Sequence, residues 1–177
     1  MKKITQHIVE ALKDSDRNVI DMLRQIGQIT SGVQSALYKE KVKDADSVDI
    51  SPLSEVFSKE EIAEIKKYVR PKPKMCYENA WKLVDRLSYT DHDIKYVEGY
   101  INFKGLPIEH AFNVVDGKYV DITIELALKK DPSEDTYVKI GEYDVDEVRK
   151  ILLQNGYYGQ IYDTIFLNKY KESIETE

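Results

Sequence analysis

The chain has 177 residues, 42% of them hydrophobic and 33% charged, with a formal net charge of −6. That length suffices for one core of ordinary size, and the balance suits a folded chain instead of a disordered one. Acids and bases are interspersed, which excludes a sequence-independent nucleic-acid binder relying on a clustered basic surface; the short RPKPK at 70–74 does not supply one.

The opening MKKITQHIVEALKDSD is interrupted by Gln6, His7 and Glu10, so no signal peptide is expected, and no window is apolar enough for a membrane span. A first helical stripe joins Ile4, Ile8 and Leu12. Asp16 is placed to cap a second helix whose inner face carries Val19, Ile20, Leu23 and Ile26. TSG at 30–32 ends it, and a weaker helix follows through VQSALYKEKV. The polar KDADSVDISP is a candidate linker. SKEEIAEIKKYV carries a capping box, Ser58 with Glu61, and RPKPK then imposes an extended passage. These features predict a helical segment over residues 1–70 and an α+β domain over 71–177.

From residue 75 the periodicity changes. CYENAWKLVDRLS predicts a helix with Ala80, Trp81, Val84 and Leu87 at helical spacing. IKYVEGYINF alternates as a strand, and YVKIGEY is another candidate strand. DVDEVRKILLQNG predicts a helix capped by Asp144 and stopped by Gly156, and YDTIFLNKY is a candidate last strand.

PIEHAFNVVDGKYVDIT, residues 107–123, is the most informative stretch. DG between apolar runs is a strong hairpin signal, because a type I′ turn needs positive φ at both central residues. With Asp116 and Gly117 in the turn, Phe112 falls opposite Asp121 and His110 opposite Thr123. His110 and Asp121 then share one face as diagonal neighbours, roughly 7–8 Å apart before their side chains converge. A carboxylate there can fix one ring nitrogen and leave the other free as a base. The only cysteine, Cys76, starts the preceding helix, where unpaired amides and the dipole favour a thiolate and can stabilise an oxyanion. Continuing the stripe of Ala80 and Val84, it is expected to face the sheet. A single cysteine also precludes an internal disulfide and points to a reducing cytoplasm.

CYENA, YVEGY and IEHAFNVVDGKYVDIT, in that order, resemble the papain-like fold in its transglutaminase-like form, including small bacterial and phage proteins with the same Cys–His–Asp order. The resemblance covers residues 75 to about 125. It implies a helix packed on an antiparallel sheet, with Cys76 as nucleophile, His110 as base and Asp121 as orienting acid. The implied activity is thiol-dependent acyl transfer or hydrolysis, as a peptidase, amidase or glutamine deamidase. The substrate would be a protein, peptide or small amide, and no cofactor is implied. Tyr77 stands where transglutaminases usually carry tryptophan, and no glutamine precedes Cys76 as a papain-type oxyanion donor.

Other residues have plainer readings beside the functional ones. Asn79, one turn after Cys76, and Tyr77 are candidates for the oxyanion site or cleft. Glu98 either lines the cleft or faces solvent. Glu109 should point away from His110, Asp116 is a turn residue, and His7 and His92 have no evident partners. Cys76, His110, Asp121 and Glu98 are also metal ligands by type, but the sequence contains no close-spaced ligand pair. The rival from another class is a non-catalytic module that keeps the cleft to hold a ligand or partner.

Overall fold

The computed structural model describes residues 15–103 and 105–175; the stripe of Ile4, Ile8 and Leu12 lies outside them. Helix α1 (Ser15–Ile29) buries Val19 and Leu23 and half-buries Ile20 and Ile26. Asp16 lies within this helix and not before it. Helix α2 (Gly32–Asp44) buries Leu37 and also Lys41. Lys41 reaches Asp163 at 2.8 Å and Glu109 at 3.4 Å, tying α2 to the end of the chain and to the sheet.

KDADSVDISP is not a linker. Its residues Asp46–Val48 form strand β1, the edge of the sheet, too short for alternation to reveal. Helix α3 (Lys59–Tyr68) has the expected capping box: the Ser58 hydroxyl accepts the Glu61 amide and the Glu61 carboxylate accepts the Ser58 amide. Arg70 then adopts a left-handed φ of 52°, so the passage after α3 opens with a helix-terminating residue instead of an extended one.

Helix α4 (Cys76–Leu87) leads into β2 (Ile94–Phe103), β3 (Leu106–Val115), β4 (Lys118–Val120) and β5 (Thr136–Tyr143). The sheet order is β1-β5-β2-β3-β4, and every strand pair is antiparallel. Asp116 and Gly117 have φ of 50° and 80°, the type I′ signs, and pair Val115 with Lys118 as the DG motif predicts. A bulge in β5 opposite Glu98 and Gly99 brings the backbones close together: a side chain on Gly99 would start 2.0 Å from the Val138 carbonyl oxygen.

Helix α5 (Val145–Asn155) ends at Gly156 in the left-handed conformation. Asp144 occupies its N-cap, but the side chain makes no capping bond. The predicted last strand is instead helix α6 (Ile161–Glu175). Gly159 and Gln160, with φ of 102° and 56°, turn the chain, and the buried Glu98 carboxylate accepts the Ile161 and Tyr162 amides at 3.0 and 2.9 Å. That remote cap overrides the strand preference of Tyr, Thr, Ile and Phe.

Alternation along the strands gives the sheet two apolar faces. Tyr96, Tyr100, Ala111, Val115 and Val138 pack against the helices, including Val19, Leu37, Ile65, Leu83 and Val148. Val97, Ile101, Phe112 and Tyr137 face the other way, beneath Ile50 and Ile124. Burying one such side chain contributes about 1.5–3 kcal/mol, so both faces matter to stability. The boundary drawn at residue 70 falls within the first of these clusters, which joins Val19 through Val69 to Ala80 through Tyr162.

Candidate active site

The site forms where the hairpin stops being a hairpin. β4 pairs with β3 only from Val115–Lys118 to Asn113–Val120. The expected pairs Phe112–Asp121 and His110–Thr123 do not form, because the chain turns at Ile122 into a helical turn, Thr123–Ala127. Asp121 starts that turn and caps it: Oδ1 accepts the Thr123 amide at 2.8 Å and the Ile124 amide at 3.1 Å. Its other oxygen, Oδ2, lies 2.6 Å from His110 Nε2 and accepts the Tyr137 hydroxyl at 3.0 Å. Four partners satisfy a carboxylate that is 1% exposed, as a buried charge requires.

The early departure of β4 also opens the outer edge of β3, and Cys76 occupies it. His110 acts on the thiol through hydrogen bonding and charge, and the Ala111 amide adds to the effect on the sulfur. With Nε2 committed to Asp121, Nδ1 is the ring nitrogen left for the thiol. Alternation puts His110 and Phe112 on the face away from α4, so helix and histidine meet at the sheet edge and not across the packed interface. Phe112 and Tyr137 flank the imidazole, with ring centroids at 6.4 and 6.1 Å, and His110 is only 6% exposed.

The electrostatics follow from these contacts. Burial alone would lower the His110 pKa, but the charge and hydrogen bond of Asp121, with a further contribution from Cys76, raise it. Burial would raise the Cys76 pKa, yet the hydrogen bond and charge of His110, with the Ala111 amide, bring it below an ordinary thiol. Together they favour thiolate beside imidazolium. Cys76 is half-buried, reachable from solvent, whereas its partners are not. Met75, at the N-cap of α4, makes no side-chain capping bond, so that side chain does not compete for the leading amides beside the sulfur.

The three secondary candidates have structural tasks. Both amide hydrogens of Asn79 are committed, one to the Lys72 carbonyl at 2.8 Å and one to Thr123 Oγ1 at 3.0 Å. Neither is free for an oxyanion; Asn79 instead ties the thiol-bearing helix to the turn that carries Asp121. Glu98 neither lines a catalytic cleft nor faces solvent, because its carboxylate caps α6 and accepts the Tyr96 hydroxyl at 3.1 Å. Tyr77 packs beneath Gly159, where a side chain would start 2.7 Å from its ring.

Tyr137 is the residue that sequence reasoning missed. Its place in YVKIGEY shows alternation, but only the pairing of Tyr137 with Ile101 sets its hydroxyl over Asp121. Among the described residues, no group of three or more His, Cys, Asp and Glu side chains is arranged to hold a metal ion. No helix of the described residues is long and apolar enough to cross a membrane. The chain matches no protein-family model, no curated protein and no solved structure.

Proposed function

We propose that this chain catalyses thiol-dependent acyl transfer or hydrolysis on a protein, peptide or small amide. The observation that carries the reading is the 2.6 Å contact between Asp121 Oδ2 and His110 Nε2, with the same histidine acting on the Cys76 thiol and lowering its pKa. The resemblance of CYENA and IEHAFNVVDGKYVDIT to the papain-like, transglutaminase-like group points the same way.

In this mechanism the Cys76 thiolate adds to the acyl carbon, and the carbonyl electrons move onto oxygen. The leading amides of α4, aided by its dipole, stabilise that oxyanion. The tetrahedral adduct collapses to a thioester as the leaving group takes a proton from imidazolium. Neutral His110 then removes a proton from the incoming water or amine, which attacks the thioester and expels Cys76 as thiolate. Asp121 holds Nε2 as the protonated nitrogen throughout, so Nδ1 is the one that exchanges protons.

An activated ester tests this without knowledge of the natural substrate. With p-nitrophenyl acetate, the full chain should release a burst of p-nitrophenol and carry one acetyl thioester, mapped by mass spectrometry to Cys76. Cys76→Ala should abolish the burst. Acetylation confined to lysines, with no burst, would instead support a binding module that retains the site's shape.

A further inference from the structure

Tyr137 touches the reacting groups, yet the mechanism above gives it no task. It stands on β5 opposite Ile101, and β2 separates β5 from β3 in the sheet, so its side chain crosses the face of β2 to reach Asp121. The residue is 1% exposed. Its ring packs edge-on to His110 and Phe112, with centroids at 6.1 and 5.4 Å. Val97, Ile101 and Phe112 fill the same face without a hydroxyl. Phenylalanine would supply the ring equally well, so packing does not account for the phenol oxygen.

The hydroxyl donates to Asp121 Oδ2 at 3.0 Å, the same oxygen that lies 2.6 Å from His110 Nε2. Oδ1 is occupied by the Thr123 and Ile124 amides. A carboxylate has about four lone-pair sites, so all are filled, and the phenol and the imidazole share one oxygen. Burial and the Asp121 charge push the phenol pKa far up, so Tyr137 stays a donor at any working pH. A donor on Oδ2 draws charge away from the imidazole and supports the bare carboxylate once His110 has lost its proton. Without it, imidazolium beside carboxylate would be favoured further over the neutral ring. Cys76 from α4 and Asp135 ahead of β5 also act on His110; both are unchanged when only the phenol oxygen is removed.

We infer that Tyr137 is a positioning residue: through Asp121 Oδ2 it limits how tightly the His110–Asp121 pair holds its proton, so that His110 can give it up during turnover. The inference rests on the proposed function for its purpose, and on the geometry of the pair alone for its effect. It matters most at the thioester, where the sulfur is no longer a thiolate and neutral His110 must take a proton from water or amine. A histidine held as imidazolium cannot do so. Tyr137 thus opposes Asp121, which fixes the ring and raises its proton affinity.

Titration of His110 followed by NMR tests this in the full chain carrying Cys76→Ala, where the thiol no longer couples to the ring. Adding Tyr137→Phe should raise the His110 midpoint by about one pH unit, the equivalent of roughly one hydrogen bond. A fluorinated tyrosine at position 137, a more acidic phenol of nearly the same shape, should lower it. Tyr96→Phe, which removes another buried hydroxyl, the donor to Glu98, should leave it in place. With the thiol restored, Tyr137→Phe should slow hydrolysis of the acetyl-enzyme at neutral pH about tenfold and regain the wild-type rate at the alkaline plateau. A midpoint that stays put in Tyr137→Phe, or moves the same way with both replacements, overturns the inference whatever the ester does. A raised midpoint in a protein that never forms acetyl-enzyme upholds the hold of Tyr137 on the pair and counts against the thiol chemistry alone.

Discussion

Asp121 presents one oxygen to His110 Nε2 at 2.6 Å while its other oxygen is held by the Thr123 and Ile124 amides. This fixes what Asp121→Asn would do. The two backbone amides demand an acceptor, so the new side-chain oxygen must face them and its NH2 must face His110. Nε2 is then forced to accept, and the ring proton moves to Nδ1, where it points at the thiol and removes the base. Activity of the acyl-transfer kind should fall about 10³–10⁴-fold, as expected for a histidine locked in the wrong tautomer. Tyr137 can no longer donate at that position and must rotate its hydroxyl to accept from the new NH2, so a modest loss of melting temperature is expected. A variant retaining a tenth of wild-type turnover would be incompatible with His110 as base.

The state of the thiol can be read directly. Cys76 is held below an ordinary thiol mainly by the hydrogen bond and charge of His110, working against burial. Iodoacetamide alkylation of the folded protein should therefore follow a titration below the ~8.5 of free cysteine. In His110→Ala the burial effect is left unopposed by imidazolium, so the midpoint should move upward, past the free value. Equal midpoints in the two proteins would exclude an ion pair.

His92 answers differently to pH. Its Nδ1 lies 2.6 Å from Asp116 and its Nε2 3.0 Å from Glu61, joining the β3–β4 turn to the capping box of α3. Hydrogen bonds from its ring to Asp116 and Glu61 raise its pKa, while the two carboxylates are lowered. A raised histidine contributes stability that is complete below its unfolded value of ~6.5 and is lost as pH rises through the higher folded value. The lowered acids contribute stability that is lost as pH falls, for Glu61 down to about 2. Melting temperature of wild type should thus decline on the alkaline side of 6.5 relative to His92→Gln. Parallel curves for the two proteins across that range would show that the clamp contributes nothing.

The sequence made some of these features legible and hid others for identifiable reasons. The DG turn, the Ser58 capping box, Gly156 and the periodicity of α4 are local signals, and each element stands where its residues indicate. The convergence of His110 and Asp121 was legible from alternation, although the acid arrives on a helical turn and not on a longer β4. Tyr137, β1 and the start of α6 were not legible, because each depends on a partner far along the chain: Ile101 and Asp121, β5, and Glu98 respectively. The tie between Asn79 and Thr123 spans 44 positions and leaves no mark on either neighbourhood.

Glu98 gives the sharpest test of such long-range capping. Its carboxylate is 4% exposed and accepts two leading amides of α6 together with the Tyr96 hydroxyl. Burial nevertheless dominates, and its pKa is raised despite those three donors. A carboxyl whose folded pKa is raised binds its proton more tightly folded than unfolded. Stability should therefore decline as pH rises from the unfolded value of ~4.3 through the folded one, opposite in sign to the contribution of Glu61. Glu98→Gln removes this slope but replaces one acceptor oxygen with an NH2 that faces a backbone amide of α6. Leaving a buried donor without an acceptor costs about 1–3 kcal/mol. The variant should be less stable than wild type at neutral pH and show a flatter profile between pH 4 and 7. Hydrogen exchange should locate the loss, with faster exchange of the first-turn amides of α6 and little change in β2 and β3. Uniform acceleration across the sheet would instead make Glu98 a general core residue, with α6 held by packing alone.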